Sequence, residues 1–354
     1  MAIIPSRLPD SPADTSAASV QTELVAVLVA VSDGQPRVLT RGRLELLPAG
    51  PFQSSHRSLQ AGLRAWVETQ THHPLGYVEQ LYTFADGDRA NWQGQRIISV
   101  SYLGLTREGQ GSEAREERRP DTRAERGSLP REKQGFEAVQ WQDWYRYFPW
   151  EDWRAGCPAM LQEYILPALQ QWCAAQPDAA LRRRRRQRVD FTFGPDEASW
   201  NEELVLQRYE LLFEAGLVQE AARRAQAGQG GAVAAGVSAL APAVMPGAAM
   251  QHDHRRILAT AMARLRAKIR YRPVVFELMP PEFTLLQLQQ TFEAVAGRSL
   301  HKQNFRRLIA QQSLVEDTGR MTRGAAGRPA KLFQFRGDVV LERAISGSKL
   351  PLSR

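Results

Sequence analysis

The chain has 354 residues, enough for two domains with cores of their own. Its net charge of +8 favours a polyanionic partner, and its two cysteines, Cys157 and Cys173, exclude a disulfide framework or a cysteine metal site, so a reducing cytoplasm is the expected setting. The longest apolar run, Leu24 to Val31, is too short to cross a membrane, and residues 1–19 lack the apolar stretch of a secretory signal and read as a mobile tail.

Residues 20–150 form the first expected domain. Two apolar strands, Glu23 to Val31 and Pro36 to Arg41, are joined by the turn Ser32-Asp33-Gly34. A loop led by Gly50 then enters an amphipathic helix that carries Arg64 and Glu68 on one face. Arg96 to Leu105 is a further strand. Residues 107–133 are Arg, Glu, Gly, Ser and Pro with almost no apolar side chains, the composition of a flexible, solvated insertion.

Residues 151–224 are expected to be a helical connecting or dimerisation region. Trp141, Trp144, Tyr145, Tyr147, Phe148, Trp150 and Trp153 straddle its start. Basic residues are sparse among them, which favours core or interface over a platform for stacked bases. The run Arg182 to Arg186, with Arg188, reads as a solvated face. A helix is expected from about Asp196 to Ala215, with Gly216 as its C-terminal stop. Residues 225–250 are Ala/Gly-rich and uncharged, as in a flexible linker. His252-Asp253-His254 offers too few donors, poorly spaced, for a metal.

Residues 251–340 hold the second expected domain. In the helix Arg255 to Arg270, Leu258, Ala261, Met262, Leu265 and Ile269 share one face, and Arg255, Arg264, Arg266 and Arg270 lie elsewhere. That basic side either meets phosphate or a membrane surface, or is the solvated side of a connecting helix. Thr284 and Gln287 make a capping box for a helix that ends at Gly297. Ser299 is expected to cap a second helix, Leu300 to about Gln312, after the short connection of a helix-turn-helix. Phe305, Leu308 and Ile309 define its buried stripe. The opposite face carries Gln303, Asn304, Arg306 and Arg307, side chains suited to base edges, and Lys302 sits in the first turn within reach of a phosphate. A strand, a glycine-rich tip and a second strand follow, with Arg320, Arg323, Arg328 and Lys331 clustered where the wing of a winged helix meets the DNA backbone or minor groove.

The segment GPFQSSHRSLQAGLRAWVETQTH, from Gly50 to His72, resembles the Nudix box, a glycine-led loop and helix that holds metal ions on glutamates. Gly50, Arg64 and Glu68 match it. The remaining positions depart from it: His56 and Ala65 stand where glutamates belong, Thr69 replaces the second glutamate of the closing pair, and Thr71 replaces the final glycine. Hard divalent ions want several carboxylates, and one remains, so no metal site and no catalytic residue are expected. His56, Arg64 and Glu68 are then candidates for contacting a bound nucleotide. The resemblance implies an α+β protein: a Nudix-like α/β/α domain, a helical connecting region and a C-terminal winged helix-turn-helix.

The phrases FELMPPEFTLLQLQ, HKQNFRRLI and GRPAKLFQF, together with the altered box, are similar to bacterial Nudix-related transcriptional regulators of NAD metabolism, the NrtR and NadQ groups. LGYVEQLYTF, YRYFPWEDWR and YRPVVFELMP look closer to NadQ. The resemblance implies a homodimeric repressor of NAD biosynthesis genes on a palindromic double-stranded operator. Its DNA affinity would change with an adenine-containing effector, NAD, ADP-ribose or ATP, and no cofactor would be required. The alternative readings are a hydrolase of ADP-ribose or a related nucleoside diphosphate, which needs carboxylates from outside the box, and a nucleic-acid-binding protein with no small ligand.

Overall fold

The structure, a computed structural model, describes residues 20–43, 45–71, 73, 75–85, 95–108, 138–194, 199–227, 245–322 and 329–337. The expected tail, most of the expected insertion, the middle of the Ala/Gly segment and the tip of the wing lie outside the described residues.

The N-terminal body is a mixed sheet. Strands β1 (Gln21–Ser32), β2 (Gln35–Arg41), β3 (Ala49–Pro51), β4 (Tyr77–Phe84), β5 (Ile97–Leu105) and β6 (Val139–Asp143) lie in the order β4-β5-β1-β2-β6, with β3 also paired to β1. β1 and β2 form the expected hairpin, and β1 runs parallel to β5 through Gln21–Val29. The β1 segment Leu24–Ala30 is buried without interruption, because both faces of the sheet are covered. Leu24, Ala26 and Leu28 pack with Leu63 and Val67 of helix α1 (Leu59–Thr71). Val25, Val27 and Val29 belong to the larger core on the opposite face.

The helix on that opposite face comes from far downstream. Helices α2 (Leu166–Ala174), α3 (Ala179–Phe193), α4 (Val205–Glu214) and α5 (Gln219–Ala227) follow the sheet, and then α6 (His254–Ile269) returns to pack against β1, β4, β5 and α4. This corrects the expectation for the helix Arg255 to Arg270, which presents neither a phosphate-binding face nor a solvated one. Arg255 and Arg266 are fully buried, and Arg270 pairs with Glu202 and Glu203. Only Arg264 keeps a largely exposed side chain.

The buried arginines are satisfied by a network of acids and carbonyls. Glu151, fully buried, accepts from Arg208 Nε at 2.6 Å and from Arg266 at 2.7 Å. Arg266 also donates to the carbonyls of Glu202 and Val295. Arg255 donates to Glu220 and to the carbonyls of Tyr147 and Pro246. Burial pushes the Glu151 carboxyl up, but the charges and hydrogen bonds of Arg208 and Arg266 outweigh it and hold the group below the usual glutamate range. Arg208 also takes the carbonyls of Thr192 and Asn201, which precede α4. The segment before Val205 is thereby committed to that guanidinium, and α4 starts at Val205 instead of about Asp196.

The aromatic cluster is core, as expected: Trp144, Tyr147, Phe148 and Trp150 are fully buried. The arginine run lies on α3, where Arg183, Arg184 and Arg186 are exposed while Arg185 stacks on Trp172 at 4.1 Å. His254 is buried and accepts from the Leu47 backbone, which gives it a structural place.

The C-terminal module is the expected winged helix. It contains β7 (Glu282–Phe283), α7 (Leu285–Ala296), α8 (Lys302–Gln312), β8 (Val315–Met321) and β9 (Lys331–Phe335), with a small sheet in the order β7-β9-β8. It is docked on the body, not merely tethered to it. Tyr145 Oη donates to the Ala294 carbonyl at 2.7 Å, Trp153 N to Gly297 O at 2.7 Å, and Ser299 Oγ to Arg154 O at 2.8 Å. Gly297 adopts a left-handed φ of 72°, and a Cβ there would collide with Glu151, Tyr145 and Arg266.

Replacing Glu151 by Gln leaves two buried guanidiniums short of countercharge and is expected to lower unfolding free energy by about 3–5 kcal/mol, read from urea denaturation. The folded pKa of Glu151 is depressed, so its contribution is present above the ordinary value of 4.5 and is lost as pH falls below it. Denaturation midpoints measured down a pH series should fall more steeply in the parent than in Glu151→Gln.

Candidate functional site

The most chemically defined surface is α8. Phe305 and Ile309 are buried, and Phe305 meets Phe292 of α7 edge to face at 5.5 Å between ring centroids. This fixes the helix's rotation and leaves Lys302, Gln303, Asn304, Arg306 and Arg307 exposed, as the sequence pattern requires. The five side chains offer guanidinium, amide and ammonium donors without a carboxylate on the helix. That combination suits a groove lined by phosphates and base edges.

The turn before α8 is built differently from the expectation. Ser299 does not cap the helix, because its hydroxyl is used on Arg154 O. The helix begins at Lys302, with His301 as a cap residue that makes no side-chain capping bond. The turn is clamped by Glu293, which accepts from Leu300 N at 2.7 Å and from Gln289 Nε2 at 2.9 Å, while Gln289 also donates to Leu300 O. The capping box of α7 is present: Gln287 N donates to Thr284 Oγ1 at 3.2 Å, and Thr284 N donates to Gln287 Oε1 at 2.8 Å.

On the wing, Lys331 and Arg320 are exposed but paired, Lys331 with Asp317 at 2.7 Å and Arg320 with Glu282. The hydrogen bond from Lys331 lowers the Asp317 carboxyl below its ordinary range. Exposed pairs of this kind add little net stability, so either cation can exchange its acid for a phosphate. Arg323 and Arg328 lie outside the described residues. The acids Glu282 and Asp317 were the part of this surface that a search for basic clusters passes over.

The altered box has a consistent geometry. Gly50 stands in β3, and a Cβ there would run into the Trp66 ring. Trp66 Nε1 donates to Pro51 O at 2.8 Å, so the glycine lets helix and loop close on each other. His56 is half-buried, accepts from Gln53 N at 3.1 Å, and stacks obliquely with Phe52. Arg64 turns away from Glu68 and donates to the carbonyls of Leu75 and Gly76, tying α1 to the start of β4. Glu68 is exposed and is the single carboxylate on α1. Arg64 is thus committed to two backbone carbonyls and His56 to the Gln53 backbone, while Glu68 faces solvent. A lone exposed carboxylate is a poor donor set for a magnesium or manganese cluster. Among the described residues no three His, Cys, Asp or Glu side chains gather in a way that would hold a metal ion, and no helix is long and apolar enough to cross a membrane.

Residues 275–335 match the NrtR DNA-binding winged helix domain. The match takes in β7, both helices and the wing strands of the module described above. The chain is also 42% identical over 83 residues to the ADPR responsive transcriptional repressor NtrR of Acinetobacter baylyi, a stretch that is 23% of this chain and 33% of the relative. The similarity thus spans about a third of that relative's length. Among solved structures, NrtR of Shewanella oneidensis complexed with a 27mer DNA aligns over 93% of this chain and 97% of its own, at 18% identity and a TM-score of 0.48. A MutT/nudix family protein from Enterococcus faecalis aligns over 94% of this chain and 90% of its own, at 14% identity and a TM-score of 0.43.

In the winged helix, Thr284→Ala removes the cap of α7 and is expected to cost about 1 kcal/mol in urea unfolding. Arg64→Ala should cost about 1–3 kcal/mol by leaving the partly buried Leu75 carbonyl without its donor; a thermal unfolding midpoint equal to the parent's would refute the bracing role given to Arg64.

Proposed function

We propose that the chain is a transcriptional repressor of NAD biosynthesis genes that binds operator DNA through the winged helix and responds to an adenine-containing metabolite. The observation that carries this reading is the exposed face of α8, where Gln303, Asn304, Arg306 and Arg307 point away from a helix anchored by Phe305 and Ile309. Lys302, Arg323, Arg328 and Lys331 supply the phosphate contacts around it. One such module reads few base pairs, so two copies on a two-fold axis read a palindrome. The working form is a homodimer in the cytoplasm.

ADP-ribose is the favoured effector among ADP-ribose, NAD and ATP, because the relative that shares 42% identity over 83 residues is described as ADPR responsive. The altered box lies on the domain that senses it, with His56, Arg64 and Glu68 as its candidate contacts. The domain holds its ligand without cutting it, since a single carboxylate on α1 cannot organise the charge neutralisation that phosphate hydrolysis needs.

Gel shifts on a promoter fragment test the reading. Arg307→Ala is expected to weaken specific binding by roughly ten- to a hundredfold, the range for loss of a base-reading contact. Lys302→Ala should weaken specific and non-specific DNA alike and reduce the salt slope by about one. Unchanged shifts in both variants would refute the DNA-binding assignment. Incubation with ADP-ribose and Mg2+ or Mn2+ should release no product; turnover that disappears in Glu68→Gln would establish the hydrolase instead.

A further inference from the structure

Between the sheet and the wing lies a cleft of about 680 Å3. One wall is the Gly76–Tyr77 turn and the end of β5 at Leu105–Arg107; the other is the connector from Arg272 to Pro281 together with the wing strands. We propose that this cleft is a binding site for a nucleoside diphosphate, apart from the altered box, and that its occupation fixes the wing against the α/β body.

Three features define the ligand class. The volume falls within the roughly 300–1,000 Å3 typical of small-ligand sites. Phe276 stacks on Phe335 at 4.1 Å and tilts against Phe283, which makes a broad apolar wall with Pro280 and Pro281 beside it, suited to a flat ring. The charged lining is two guanidiniums from opposite walls, Arg107 and Arg272, and one carboxylate, Glu277. Arg272 is exposed, and among the described residues no carboxylate pairs with it. Guanidiniums match phosphate oxygens in charge and geometry. Glu277 accepts from sugar hydroxyls or an exocyclic amine and repels a ligand that is phosphate throughout.

The cleft floor is wired to the helices on both faces of the sheet. Tyr77 Oη donates to Glu79 at 2.8 Å, and Lys268 of α6 donates to Tyr77 Oη at 2.6 Å and to Glu79. Arg64 of α1 grips the carbonyls of Leu75 and Gly76 from the other side. A ligand that touches both walls binds one spacing of wing and body better than any other, and this differential affinity is what coupling to DNA requires. The site itself stands without the repressor reading; only its effect on DNA rests on it.

The test is photo-crosslinking of the full chain with 8-azido-ADP, followed by peptide mapping. Label is expected on the peptide spanning 272–283 or on Tyr77, competed by ADP and ADP-ribose and not by adenosine. Arg272→Ala should cut that labelling roughly tenfold or more, the usual effect of losing a charge-assisted contact. Arg183→Ala, on the exposed face of α3, should leave it unchanged. Label confined to residues 52–71, labelling of the cleft that survives Arg272→Ala, or no labelling of the parent protein would each overturn the proposal. Gel shifts on the same preparations separate the two readings. Intact DNA binding with an unlabelled cleft sinks the cleft alone. A labelled cleft without DNA binding sinks the repressor assignment alone.

Discussion

The carboxylate of Glu151 receives two guanidiniums from helices that are far apart in the chain, and the arrangement of both halves of the molecule follows from it. Arg208 arrives from α4 and Arg266 from α6, and Arg266 reaches on to Val295 O at the end of α7. A buried ion triad of this kind contributes little over well-packed apolar residues, but it tolerates no missing member. It fixes which helix lies beside which and at what register, while the stabilisation comes from the apolar surface that α6 buries against β1 and β5.

Much of the architecture was legible because local signals and tertiary packing agree. The unbroken apolar run in β1, the turn at Asp33-Gly34, the capping box at Thr284 and the left-handed glycine at 297 are each local signals that the packing uses. The exposed face of α8 was legible for the same reason: two buried side chains a helical turn apart orient every other residue on the helix. The part that misled was α6. Arginines set apart from an apolar stripe ordinarily mean solvent, and nothing local shows that Glu151 and Glu220, 115 and 35 residues away from their partners, will meet them in the interior. Ser299 misled similarly, since a good capping residue was taken by a carbonyl from another segment.

Two of the positions at which Gly50 to His72 resembles the Nudix box have packing roles of their own. Gly50 is needed because Trp66 closes on it, and Arg64 because the entry to β4 hangs from its guanidinium. Both are required by packing whether or not a metal is ever bound. The positions that differ from the motif, His56, Ala65, Thr69 and Thr71, are those whose side chains the frame does not need as acids. Thr71 has even been recruited to the helix end, where its hydroxyl donates to Val67 O and accepts from His73 N.

Glu293 belongs to α7, yet it holds the turn into α8 through Leu300 N, and the carbonyls of Ala294, Val295 and Gly297 just beyond it are held by the body. The reading head therefore has no joint of its own at this end. It inherits its aim from the larger domain, as a tool inherits its aim from the arm to which it is welded. Exchanging this winged helix for that of a distant relative would then be a graft across a buried polar seam, and its success would depend on matching three carbonyl positions before any base contact mattered.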